Sequence, residues 1–416
     1  MDDGGENCGI AAGPEGAAAV SDRRATVVHF CSNVGGGVFG EGQVAAWRAL
    51  GLDARLHYAV ELEDYWRAKS GLWSKRRLRW AMYVRYPWML WRLVRRATPG
   101  EAFVAVTNPF FVPALAAWAA RRSGAKVVHL VYDLYPDALV FGGGWSPGNP
   151  AARFAARTTR VAIRDCAATV YLGERLRQHA EAHYGVAPRT FVIPVGTDAA
   201  QFAGCEPGAR NDGIADGGRK ARPTAGADLG VAGVRCLYSG HMGLLHDWQT
   251  LAEALVAGLP EGLSVEIASN GPGANALKKA LAGMEQRSAA RLLYAGTRGN
   301  IEWRAAMLAA DIALVTMKPG AEKVVMPSKT YSAMAAGQAI LAVCPRESDL
   351  ADTVYKHDCG WVIEPGDAAG LRTLLESLPL LAEEVLRKRR NAWRAAQECY
   401  DQKVLAGRWR TLLESL

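Results

Sequence analysis

At 416 residues, half of them hydrophobic, the chain is long enough for two domains, each with its own core. A net charge of +8 is moderate, so its distribution matters more than its size. No apolar run reaches the roughly 18–20 residues of a membrane-crossing helix, and the eight cysteines (8, 31, 166, 205, 236, 344, 359, 399) form no CxxC pair and no metal-ligand spacing.

Residues 1–25 are Gly/Ala-rich and acidic, without an apolar central run. They read as a disordered tail and not as a secretory signal. Several cysteines sit in apolar, strand-like runs, which suits the reduced thiols of a cytoplasmic protein. A buried strand at 26–32 leads through Gly35, Gly36, Gly37 and Gly40 into a helix from about 41 to 50. Short apolar strands follow at 52–58, 102–107, 126–132, 168–172 and 190–194, with helical stretches between them. Residues 203–231, broken by Pro207, Pro223 and seven glycines, have little to bury and read as a linker. The rhythm restarts with strands at 234–238, 264–268, 291–295, 311–316, 339–343 and 361–363, and 380–416 reads as helices. Strands alternating with helices predict an α/β protein with two units, each a parallel sheet covered on both faces.

The stretch 66–96 interrupts this pattern. It holds ten Lys/Arg, no acid, and five tryptophans interleaved with the charges. Trp73, Arg76, Arg77, Trp80, Trp88 and Trp91 make it a candidate element for a membrane interface. Two other readings stay open: a helix pair covering the sheet with Trp inward and Arg solvated, and a nucleic-acid face, which nothing else in the chain supports.

Five further stretches carry candidate chemistry. Gly35-x-Gly37-x-x-Gly40 follows a strand and opens a helix, as a dinucleotide fingerprint does. The acid that should end the second strand is missing there, because Asp53 starts it instead. Asp133 ends the 126–132 strand, where ligands of open α/β sheets gather, and could orient or deprotonate a hydroxyl; it suits a turn before Pro136 equally well. His129, within the strand, reads as a core histidine. Ser239-Gly240-His241-Met242-Gly243 and Asn270-Gly271-Pro272-Gly273 are turns whose N–H groups could approach a phosphate, with His241 and His246 adding donors or charge. Both are also ordinary strand-to-helix turns. Finally, Pro327-Ser328-Lys329 opens a small-residue helix stopped by Gly337. Helix N–H groups, the Ser328 hydroxyl and the Lys329 charge together suit a diphosphate; the plain alternative is a capped helix packed through Ala.

The order of these stretches, together with Ile193-Pro194-Val195-Gly196-Thr197-Asp198 and Pro-Ser-Lys-x-Tyr-x-x-x-Ala-Ala-Gly at 327–337, resembles glycosyltransferase family 4, in particular its bacterial surface-polysaccharide branch. The resemblance covers about 26–416 and is strongest over 234–368. It implies a GT-B fold: an acceptor domain at 26–202, a nucleotide-sugar domain at 232–395, and a last helix within 396–416 returning to the first domain. It implies a UDP-type sugar donor, a lipid-linked or glycan acceptor, retaining chemistry, no metal or other cofactor, no nucleic acid, and work at the inner face of an anionic membrane. By this resemblance Gly240, His241, Gly243, Ser328 and Lys329 face the diphosphate, with Gly35, Gly36 and Gly37 closing from the other side. Gly271, Gly273 and Thr297 lie by the nucleoside, Asp133 orients the acceptor hydroxyl, and Glu322 touches the donor sugar. The sequence departs from the family where an Arg, a Lys and two Glu are usual: His241, His246, Val324 and Ser332 stand there. An NAD(P)-dependent oxidoreductase using Gly35–Gly40, or a degenerate GT-B binding protein, are the alternatives.

Overall fold

The computed structural model describes residues 27–35, 38–68, 72–208, 233–282, 291–296 and 298–416, and every structural statement concerns these. The expectations for the 1–25 tail, most of the 203–231 linker, Gly36, Gly37 and Thr297 therefore lie outside the described residues, as does the side chain of Trp73.

Two six-stranded, all-parallel sheets form the protein. The first comprises β1 (Val27–Cys31), β2 (Ala54–His57), β3 (Glu101–Val106), β4 (Lys126–Val131), β5 (Ala168–Tyr171) and β6 (Thr190–Val192), in the order β2-β1-β3-β4-β5-β6. The second comprises β7 (Val234–Ser239), β8 (Leu263–Ala268), β9 (Leu292–Ala295), β10 (Ile312–Thr316), β11 (Ala339–Val343) and β12 (Gly360–Ile363), in the order β9-β8-β7-β10-β11-β12. The central strands are buried on both faces, which is why they read as unbroken Val/Ala/Leu runs without alternation. Each expected strand is present, displaced by at most two residues at either end.

Both sheets reverse strand direction of growth at one point: between β1 and β3 in the first, between β7 and β10 in the second. Ligand crevices of open α/β sheets form there, outside the carboxyl ends of the strands. In the second sheet, β7 and β10 register only through Cys236–Ile312 and Leu237–Ala313. Beyond that pair the strands are no longer bonded, and the crevice opens.

The last helix is Gln402–Glu414. It packs on the helix Gln43–Ala49, with the Trp409 and Trp47 rings 5.3 Å apart, edge to face. The basic segment departs from the helix-pair expectation. Leu72–Trp80, a π turn at Ala81–Arg85 and Tyr86–Arg96 follow one another without a break, as one helical run. Tyr86, Leu90 and Val94, spaced by four, turn inward. Trp80 and Trp88 turn outward, at 57% and 55% exposure. Trp80 and Trp88 thus do not cover the sheet; the stripe of Tyr86, Leu90 and Val94 does, with Trp91 half-buried against the same core.

Candidate functional site

The Pro-Ser-Lys stretch lies at the crevice of the second sheet. Its helix is short, Lys329–Ala335, and Gly337 ends it with φ +73. Pro327 is not inside the helix; its carbonyl accepts from the Thr330 amide at 3.1 Å, forming a tight entry turn. Ser328 takes the N-cap position with helical dihedrals, makes no side-chain cap bond, and borders a cavity.

That cavity, about 150 Å³, is bordered by Ser239 and Gly240 after β7, by Ser328, Lys329 and Ser332, and by Trp303. Lys329 Nζ donates to the Tyr238 hydroxyl at 2.7 Å and lies 4.1 Å from the centre of the same ring. Desolvation pushes the Lys329 ammonium down to about 7, so an anion entering the cavity would restore its charge. Gly240 has φ +109, a backbone conformation that favours glycine, and only Lys329 Cε would approach a Cβ there, at 3.9 Å. Its amide donates to Ala268 O, which fixes the turn above the strand end.

A second cavity of about 160 Å³ adjoins the first and shares Ser239, Gly240 and Trp303 with it. His241, Ser269, Asn270 and Arg298 complete it. His241 Nδ1 is 2.7 Å from Asn270 Oδ1. Gly271 has φ +107, and a Cβ there would meet His241 Cε1 at 2.5 Å and Met242 O at 2.7 Å. Gly243 and Gly273 likewise pack against His241 and Met242. These three glycines therefore hold the two turns together behind the cavity instead of lining it. His246 does not supply a charge. Its Nδ1–H donates to Thr316 O at 2.9 Å, and burial, with Lys329 nearby, pushes it down to about 3.

Across the cleft, Asp133 ends β4 half-buried, and desolvation pushes its carboxyl up to about 6. The next amide, Leu134 N, donates to Val324 O at 3.2 Å, which sets this loop against the turn that carries Glu322. Glu322 Oε2 is buried and has no hydrogen-bond partner. A carboxylate oxygen in that state is matched by an incoming hydroxyl donor. Gly35 is not placed as a phosphate cradle: Val34–Gly35 pairs with Val60–Glu61, and a Cβ on Gly35 would strike the Tyr58 ring at 2.3 Å. His129 is a core residue, 1% exposed.

Two residues had no motif to announce them. Trp303 Nε1 donates to Ser239 Oγ at 3.1 Å and walls both cavities. Tyr238 holds Lys329. Tyr238 sits in an apolar strand, where an aromatic reads as core and only its place at the carboxyl end hinted otherwise; Trp303 lies on the helix Asn300–Ala309 between Glu302 and Arg304, with no local signal of a site.

Glycosyltransferase Family 4 matches residues 41–201, in the first half of the chain and not in the 234–368 stretch where the resemblance was strongest. The probable glycosyltransferase WbjE of Pseudomonas aeruginosa is 24% identical over 294 residues, covering 69% of this chain and 68% of that one. Anabaena Alr3699/HepE, solved with UDP and glucose, superposes with a TM-score of 0.65 at 15% identity, covering 94% of this chain and 100% of that one. The UDP-forming α,α-trehalose-phosphate synthase of Burkholderia vietnamiensis does so with a TM-score of 0.65 at 12% identity, covering 94% and 98%. The chain has the GT-B fold. The family match and the relative support glycosyltransferase activity, and neither favours an NAD(P)-dependent oxidoreductase.

Proposed function

We propose that this GT-B protein binds a nucleotide-diphospho sugar, UDP-linked, across the two adjoining cavities of its second sheet. It transfers the sugar to a lipid-linked or cell-surface glycan acceptor held by the first sheet. The observation that carries the reading is the placement of Lys329, Ser328 and the Gly240 turn around one crevice at the carboxyl ends of β7 and β10. Departure of a nucleoside diphosphate builds negative charge on its oxygens, and fixed donors aimed at them lower that barrier. Lys329 supplies the cation and the Ser328 hydroxyl a neutral donor, the side-chain-free Gly240 turn leaves room for the phosphates to approach, and His241 flanks them. The nucleoside occupies the second cavity against Trp303. Glu322 Oε2 accepts a donor-sugar hydroxyl, and Asp133 orients the acceptor hydroxyl. Transfer proceeds with retention and without a metal, the lysine taking the place of a divalent ion.

The outward tryptophans and the basic run 72–96 suit an anionic bilayer, with the protein peripheral at the inner face of the membrane. Arg92 and Arg95 lie over the Trp88 and Trp91 rings, at 4.6 and 4.9 Å, so charge and ring present one surface.

A thermal-stability screen against UDP, GDP, ADP, dTDP and NAD tests the donor reading. UDP is expected to raise the melting temperature and NAD to leave it unchanged; the reverse pattern sinks the proposal.

A further inference from the structure

We propose that Tyr238 is a positioning residue for the donor diphosphate: its hydroxyl and ring hold the Lys329 ammonium at the cavity wall without an anionic partner that would have to be displaced. The inference rests on reading that cavity as the donor site.

Buried cations are usually paired with a carboxylate, because an unpaired charge out of water is costly. Among the described residues no carboxylate lies within ion-pair distance of Lys329. The phenol takes that place, by a hydrogen bond at 2.7 Å and a ring face at 4.1 Å. A neutral partner satisfies the geometry but leaves the charge uncancelled. A diphosphate can then take the ammonium over without breaking an ion pair. Tyr238 is itself closely packed: it is fully buried at the end of β7, with the His246 ring 6.2 Å away and Thr316 of β10 beside it. Restricting one flexible four-carbon side chain in this way spares the ordering cost that binding would otherwise carry.

The arrangement has a proton signature. The groups facing Lys329 are Tyr238 from β7 and His246 from the loop after β7, with Thr316 of β10 beside Tyr238. His241 and Lys318 act on His246 from further out. His246 stays neutral across the working range, because it is pushed down to about 3. Lys329, pushed down to about 7 in the unliganded site, is then the group that titrates. A bound diphosphate raises it again, so binding takes up a proton above pH 7 and UDP affinity falls as pH rises. The phenol bond favours the charged amine. Its removal lowers the lysine further and starts the decline at lower pH.

The test uses UDP as probe in isothermal titration calorimetry from pH 6 to 9. For the wild type, two buffers of different ionisation enthalpy at pH 8 are expected to report uptake of about one proton. Tyr238→Phe, which keeps the ring and the volume, is expected to bind UDP about five- to tenfold more weakly at pH 8 and near normally at pH 6. A folded Tyr238→Phe protein with the wild-type pH profile overturns the inference, and so does a wild type that takes up no proton. A variant that weakens UDP equally at every pH marks a packing role and also overturns it. Lys329→Ala separates the two levels: if it leaves UDP affinity intact, the donor reading itself fails; if it weakens UDP while Tyr238→Phe does nothing, only the positioning role falls.

Discussion

Lys329 and the arginines of the 72–96 helix are cations in opposite surroundings. Lys329 lies in a crevice, desolvated, and tied to a phenol. Arg76, Arg77 and Arg95 stand in water on a surface shared with exposed Trp80 and Trp88. A charge out of water acts through one short contact of defined geometry, and its loss is felt by one ligand. Charges in water act as a sum, are screened within roughly 8–10 Å, and suit an extended partner with many anions. The two regions therefore differ in what should break them: a single substitution for the first, salt or several substitutions for the second.

The largest effect is expected from Lys329→Ala. Removing the Lys329 cation from the diphosphate should lower turnover about 10²- to 10³-fold, or roughly 3–4 kcal/mol of barrier. Steady-state transfer from a UDP-sugar measures this, and turnover within a fewfold of wild type would dissolve the contrast with the surface arginines. Next comes Gly271→Ala, which tests the turns behind the adjoining cavity. It meets both a positive φ and the His241 ring, so a loss of about 2–3 kcal/mol is expected in urea unfolding. Stability equal to wild type would mean that the turn yields easily and does not fix the crevice.

For the surface, Arg76→Gln with Arg77→Gln is expected to cost about 2 kcal/mol of binding to phosphatidylserine vesicles, at about 1 kcal/mol per charge. High salt should produce the same loss in the wild type. Sedimentation with such vesicles reads both, and a wild type that stays in the supernatant at low salt removes the membrane from the comparison. The smallest effect is that of Asp133→Asn. The Asp133 carboxyl is raised to about 6, so its stabilising protonated form is complete below the unfolded value near 4 and lost as pH rises through 6. The amide should raise the melting temperature by about 2 °C at pH 8 and by nothing at pH 4. Equal shifts at both values would show that desolvation of the carboxyl is not the cause.

What could be read in advance followed from local periodicity. Unbroken apolar runs such as Ala339-Ile340-Leu341-Ala342-Val343 mark strands buried on both faces, and their alternation with helices leaves few folds open. Glycine turns after β7 and β8 were equally visible, since Gly240 and Gly271 carry positive φ at strand ends. Gly35 misled, because a glycine that admits a tyrosine ring has the same local signature as one that admits a phosphate. The 66–96 segment was legible as basic and amphipathic. Which side its tryptophans took depended on a π turn at Ala81–Arg85, which resets the helical phase between Trp80 and Trp88.

By itself, then, the sequence determined the class of fold, the turn positions and the short list that held Ser328 and Lys329, because each depends on residues a few positions apart. The tertiary structure alone decided that Tyr238, 91 residues before Lys329, is its partner. It also decided that Trp303 closes both cavities, that Asp133 meets the Glu322 turn, and that His246 is neutral. The reason is the strand order. Placing β7 beside β10 sets side chains from distant parts of the chain around one crevice, and burial there, which no local pattern encodes, fixes which of them carry charge.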